Sequence, residues 1–133
     1  MRAFEDVQEG HELPERELEL TADRIRDYVR AAGIWAPRFI DDEGARQEGL
    51  PGIIAPGNLS LGLLAGHVEA WAGTGTLRRI GTTFRGLVRP GPIRLCAAVT
   101  QRDEATRTVE LDVWLENADG ERSVIGTATV ALA

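Results

Sequence analysis

The sequence predicts an α+β fold in which a long antiparallel sheet curls around one buried helix. Three observations predict it. Residues from about Leu59 to Ala72 are apolar almost all round, with Glu69 their only charged side chain, and a helix apolar on every face is a buried one. From Leu77 to Leu132 the chain reads as strand nearly throughout, in four runs. Those runs alternate apolar and polar residues, so the sheet has a dry and a wet face, and the apolar helix must cover the dry one.

The elements follow in order. Residues 1–14 read as an irregular lead-in ending at Pro14, with His11 on the solvated surface. Glu15–Leu20 alternates charged and apolar residues, as a half-wet strand does. Thr21 then offers an N-cap hydroxyl, and Asp23 sits well in a first helical turn. Ile25, Tyr28, Val29 and Ala32 share one helical face and Gly33 is a natural stop, which predicts an amphipathic helix over about 22–32. Residues 33–58 are rich in Gly and Pro, with a small helix expected over 42–48 capped by Asp41. So long an irregular stretch in a compact domain points to function. Gly57 or Asn58 opens the buried helix. Gly62 and Gly66 cost it stability, which predicts close approach to a sheet or another backbone. His67 shares a face with Leu63, Leu64 and Trp71 and is expected in the core or an interface with its ring nitrogens hydrogen-bonded. Strands over 77–88 and 93–102 flank the turn Arg89-Pro90-Gly91, and strands over 108–116 and 123–132 flank Asn117-Ala118-Asp119-Gly120, giving two hairpins. An antiparallel sheet wrapped round a helix in this way is the hot-dog architecture.

Composition narrows the function. A chain of 133 residues suits one domain, residues 1–133, which buries roughly two thirds of its unfolded surface and folds without a metal or a disulfide. Fifteen basic residues, all of them Arg, against 21 acidic ones leave a net charge of −6. That balance excludes nucleic acid and anionic membranes as partners, because both begin from clustered cations. Cys96 is the only cysteine, so there is neither a disulfide framework nor a Cys-based zinc site, and its apolar neighbours make it a buried small hydrophobe. No apolar run is long enough to span a membrane, and the first ten residues do not pattern as a signal peptide. The expectation is a soluble, cytoplasmic chain that needs no metal or cofactor.

Several stretches together resemble the MaoC-like hydratases and dehydratases, which include the R-specific enoyl-CoA hydratases. They are FEDVQEGHELP, LTADRIRDYVRAAG, EGLPGIIAPGNLSLGLLAGHVEAWAG, LRRIGTTFRGLVRPG and ENADGER with GTATV, which together cover nearly the whole chain. The run WAGTGTLRR is especially similar to the small subunits of steroid side-chain enoyl-CoA hydratases, which work beside a second MaoC chain. The resemblance implies a hot-dog fold, acyl thioester chemistry and assembly into a dimer or larger oligomer. It also implies a catalytic motif of the form G-D-x-N-P-x-H after the first helix, whose Asp and His activate water and move a proton. Here Gly33 and Pro37 match, but Ile34 stands at the Asp position, Ala36 at the Asn and Phe39 at the His. Neither Ile34 nor Phe39 can carry a proton, so the family's catalytic pair is not transferred to this chain.

Three carboxylates remain as substitutes: Asp41 and Asp42 just beyond the lost His position, and Glu69 late in the buried helix. Asp41 also suits helix capping. Gly57, Asn58 and Ser60 open the central helix, where unpaired N–H groups and the helix dipole favour a thioester oxyanion. Ile34, Trp35 and Phe39 would form an apolar wall for an acyl chain. Arg78, Arg79, Arg85, Arg89 and Arg94 could meet CoA phosphates or simply face water. The expected function is a non-catalytic subunit that binds acyl-CoA or another acyl thioester. Its partner is a second copy or, in a hetero-oligomer, a second MaoC-like chain. The alternatives are an active hydratase, isomerase or thioesterase using Asp41, Asp42 or Glu69, and a stand-alone acyl-CoA-binding module.

Overall fold

The computed structural model describes residues 3–133. The strands are β1 (Arg16–Leu20), β2 (Thr76–Phe84), β3 (Gly91–Asp103), β4 (Thr108–Glu116) and β5 (Arg122–Ala131). The helices are α1 (Ala22–Ala32), α2 (Asp42–Gln47) and α3 (Gly57–Ala72), with 3-10 turns at Phe4–Asp6 and Pro37–Phe39. All five strands form one antiparallel sheet, and α3 packs against β2, β3 and β4.

Alternation explains which face is dry. Along β4 Val109, Leu111, Val113 and Leu115 are buried, while Glu110, Asp112, Trp114 and Glu116 point the other way. The same period puts Leu95, Ala97 and Val99 of β3 and Val124, Ala128 and Val130 of β5 into a core shared with Leu64, Val68 and Trp71 of α3. Helix α1 matches its expected bounds: the Thr21 hydroxyl accepts the Arg24 N–H at 3.1 Å, and Gly33 ends the helix at a φ of 72°.

Two expectations are corrected. The sheet order is β1-β3-β4-β5-β2, so the hairpin expected between the strands flanking Arg89-Pro90-Gly91 does not form. Instead β2 pairs with β5, matching Leu77 to Val130 and Phe84 to Val124. The cause lies in residues 85–90. The Arg85 and Gly86 N–H groups both donate to the Ser123 carbonyl, at 2.8 and 3.1 Å, and end the strand at Phe84 rather than Val88. Val88 is buried and its carbonyl accepts the Ala55 N–H at 2.8 Å, so this connection is tied to the segment entering α3 and crosses the end of the sheet.

The second correction concerns α3, which is buried on one face only. Asn58, Gly62, Gly66, Glu69 and Ala70 form an exposed stripe. Nothing lies within 4 Å of where a Cβ would stand on Gly62 or Gly66, so these glycines meet no sheet or backbone of this chain. The start of α3 is one of the two positions expected. It begins at Gly57 after Pro56, which enters in an extended conformation (φ −66°, ψ 148°) and accepts the Leu59 N–H at 3.0 Å. No side chain caps it, neither Asn58 nor Ser60. Among the described residues, no helix is long and apolar enough to cross a membrane.

Candidate functional site

The loop after α1 is shaped by backbone bonds. With Gly33 in the left-handed region its N–H reaches Arg30 and Val29, and the Ile34 N–H follows to the Val29 carbonyl at 2.9 Å. This folds Ile34 back against the core and leaves Trp35 72% exposed. Pro37 has the φ that opens a tight turn, and the Ile40 N–H closes it on the Pro37 carbonyl at 2.9 Å. Arg26 of α1 donates through Nε to the Ile40 carbonyl at 2.7 Å, so the turn is anchored and Phe39 packs on the core.

Both aspartates of the next segment are engaged. Asp41 caps α2 by accepting the Gly44 N–H. The Asp42 carboxylate accepts the Ile53 N–H at 2.9 Å, and that bond, with Arg46, Arg89 and Arg26 nearby, holds its pKa below the usual value. Arg89 donates to the Ile53 carbonyl at 3.2 Å. The Ile54 N–H reaches the Arg38 carbonyl at 3.1 Å, and Arg38 also pairs with Glu48 at 3.3 Å. The irregular stretch is thereby stapled to α2, to the 85–90 connection and to itself.

These staples bring Phe39, Gly57 and Ser60 together in a cleft of about 210 Å³ at the start of α3. Phe84 and Leu87, 54% and 45% exposed, complete its apolar wall. Gly57 lets the Phe84 ring lie directly over the helix start, where a Cβ would meet the ring. Ten residues line the cleft, and none is an acid or a base. The Ser60 hydroxyl is its only side-chain polar group, and the uncapped N–H groups of the first turn of α3 lie at its floor. Ile34, Trp35 and Asn58 are outside the lining, as are Asp41, Asp42 and Glu69, the last exposed on the outer face of α3. Phe84 and Leu87 were missed in the sequence because both fell inside a strand expected to run to Val88. A β-strand pattern does not reveal where a strand stops.

The other singled-out residues lie elsewhere. His67 is 7% exposed, and its Nε2 has no hydrogen-bond partner among the described residues, contrary to expectation. Burial, with Arg16 nearby, pushes its pKa below the ordinary value. His11 is half-buried rather than solvated, with its ring 6.3 Å from that of Trp71. Cys96 is 2% exposed, and burial pushes its thiol up to about 12. It sits on the outer face of the sheet beside Glu116, which also accepts from Trp114 Nε1 at 2.8 Å and Arg94 at 2.7 Å. A larger concavity, about 560 Å³, lies on that outer face near Trp114 and Arg122, remote from the loop. Of the other arginines, Arg79 pairs with Glu110 at 3.7 Å, while Arg78 and Arg85 are exposed and carry no ion pair among the described residues.

Comparison with known proteins adds the following. The sequence profile of the MaoC like domain matches residues 4–118. The ChsH1–ChsH2 complex from Mycobacterium tuberculosis contains a chain of similar structure, with a TM-score of 0.86 at 20% identity over 95% of this chain and 98% of that one. An (R)-hydratase from A. caviae involved in PHA biosynthesis gives 0.87 at 18% identity over 96% and 98%. A MaoC-like dehydratase gives 0.89 at 28% identity over 98% of this chain, which spans only 42% of that longer protein. No curated protein matches by sequence.

Proposed function

The chain belongs to the family of MaoC-like domains, and from that premise we propose that residues 1–133 form one hot-dog domain serving as a non-catalytic partner to a second MaoC-like chain. The observation that carries this reading is the lining of the cleft at the start of α3, which contains no acid and no base. Adding water to an enoyl thioester needs a group that takes a proton from water and one that delivers a proton to carbon. Ile34 and Phe39, at the positions of the family's Asp and His, do neither. The substitutes are occupied or distant: Asp41 caps a helix, Asp42 holds the Ile53 N–H, and Glu69 faces outward.

What the cleft does offer is an apolar wall from Phe39, Phe84 and Leu87 beside the N-terminal amides of α3. That combination suits an acyl thioester whose reacting carbons are handled by the other chain. The similar M. tuberculosis structure is itself a complex of two differently named chains. The test is an enoyl-CoA hydration assay on the lone chain and on its complex with a MaoC-like chain carrying an intact Asp/His pair. The lone chain is expected to hydrate crotonyl-CoA no faster than buffer, and the complex to turn over. Enzymatic turnover by the lone chain, lost in Asp41→Asn, Asp42→Asn or Glu69→Gln, would put an independent enzyme in place of the partner.

A further inference from the structure

One hydroxyl in the cleft at the start of α3 has no partner. Ser60 is 1% exposed, and its side chain bonds to no group among the described residues. A serine inside a helix can turn its hydroxyl back to the carbonyl four residues earlier. Here that carbonyl belongs to Pro56; it accepts the Leu59 N–H at 3.0 Å, and the Ser60 hydroxyl does not join it. The hydroxyl opens onto the cleft instead, in a lining whose other side chains are apolar: Phe39, Ile54, Phe84, Leu87 and Val88 among them. No acid or base in that lining can satisfy it, so its partner must come from outside this chain. A wholly apolar ligand would strip water from the hydroxyl and return no bond, which weakens binding.

Resting on the reading of this cleft as a thioester site, we infer that Ser60 is a specificity-determining residue that selects an acyl thioester carrying an oxygen on its third carbon. The distances suit that ligand. Ser60 follows Gly57 by three residues, roughly 4.5 Å along the helix axis. A helical side chain leans back toward the N-terminus, which shortens the gap to the first-turn amides. A thioester carbonyl held at those amides leaves the oxygen of its third carbon three bonds of about 1.5 Å beyond the carbonyl carbon, within the same reach. The Ser60 hydroxyl can donate to that oxygen or accept from it. An unsubstituted acyl chain offers nothing in return, and a site built round a polar partner rejects the analogue that lacks it. Ser60 moves no proton in this scheme. It holds the oxygen in place, and the proton transfers stay with the other chain.

The test is calorimetric titration of the wild-type chain and of Ser60→Ala with 3-hydroxybutyryl-CoA and with butyryl-CoA, two ligands that differ by one hydroxyl. Wild type is expected to bind the hydroxylated ligand about tenfold more tightly, and Ser60→Ala to bind the two within about twofold of each other. Alanine is the best helix former and leaves no unpaired hydroxyl, so Ser60→Ala should unfold at no lower temperature than wild type. Its loss of discrimination is then not a loss of fold. Equal affinity of wild type for the two ligands overturns the inference. So does a preference that survives in Ser60→Ala, and so does the binding of neither ligand. The titration reads a ratio of affinities, whereas the hydration assay reads turnover. Turnover by the lone chain would sink the subunit reading and leave the Ser60 discrimination standing; an inert chain indifferent to the hydroxyl would do the reverse.

Discussion

The two faces of α3 do opposite jobs with one stretch of sequence. Its inner face, Ser60, Leu64, His67, Val68 and Trp71, is buried against the sheet and N-terminal segment. Its outer face, Asn58, Gly62, Gly66, Glu69 and Ala70, is exposed, and three of these five residues are glycine or alanine. Side-chain volume separates most of the two faces: Leu64, Val68 and Trp71 fill the inner one, while Gly62, Gly66 and Ala70 keep the outer one low between Asn58 and Glu69. Large residues fill the inside of this chain, and small ones leave room on the outside for something else. A helix that looks uniformly buried in the sequence is therefore buried by this chain on one face only, and its other face is left open.

Truncating the inner face should give the largest effect. Leu64 is fully buried, and Leu64→Ala is expected to destabilise the chain by about 2–5 kcal/mol, through lost burial and the cavity left behind. Chemical denaturation checks this, and a loss under ~1 kcal/mol would mean that the inner face is not packed as described. The helix start, where the two faces meet the cleft, comes next. Gly57→Ala drives a methyl into the Phe84 ring and should cost about 1–3 kcal/mol, in the range of overpacked sites. Adding Phe84→Ala should recover most of that loss. Independent, additive effects in the double variant would show that the ring is not what meets the new methyl.

Much of this was legible in the sequence, and the failures share a cause. The caps at Thr21 and Asp41, the stop at Gly33 and the alternation of β4 are local, set by residues a few positions apart, and the sequence shows them directly. The placement of β2 beside β5 is not local. It depends on Arg85, Gly86 and Val88 bonding to Ser123 and Ala55, partners more than 30 positions away. Of the candidate site the sequence offers an expectation only, that Ile34 and Phe39 stand where the family has Asp and His. The apolar wall was not legible, because Phe84 and Leu87 join Phe39 only after the 85–90 connection crosses the end of the sheet. The exposed glycine stripe was hidden for a related reason: a pattern of small residues reports close approach without saying to whom.

A smaller effect sits on the inner face at His67. Its pKa is lowered by burial, so the unfolded chain takes up that proton more readily than the folded one. Stability should therefore rise with pH across this group. It should start to fall as pH drops through the ordinary histidine value near 6.5 and keep falling to the depressed folded value, by about 1.4 kcal/mol for each unit of depression. Glu116 and Asp42, held below the usual carboxylate values by hydrogen bonds and arginines, add a separate loss only at more acid pH. Unfolding free energies of wild type and His67→Phe at pH 7.5 and 5.5 isolate the histidine. The wild type should lose stability over that interval and the variant should not; equal losses would assign the effect to other groups.

The smallest effect is the one that separates the two faces most sharply, because it runs in the opposite direction. Gly62 and Gly66 are interior helical positions with open space where a Cβ would go. In an isolated chain Gly62→Ala and Gly66→Ala should each stabilise α3, by up to about 1 kcal/mol, since alanine loses less backbone freedom than glycine. If a partner packs along this stripe, the same methyls should crowd it and weaken association. One pair of substitutions thus predicts a higher Tm for the lone chain and a higher Kd for the complex. If both variants raise Tm and leave Kd unchanged, the partner does not approach along this stripe. A fall in Tm for the lone chain would mean that the outer face is already in contact within the chain, and the contrast between the two faces would be lost.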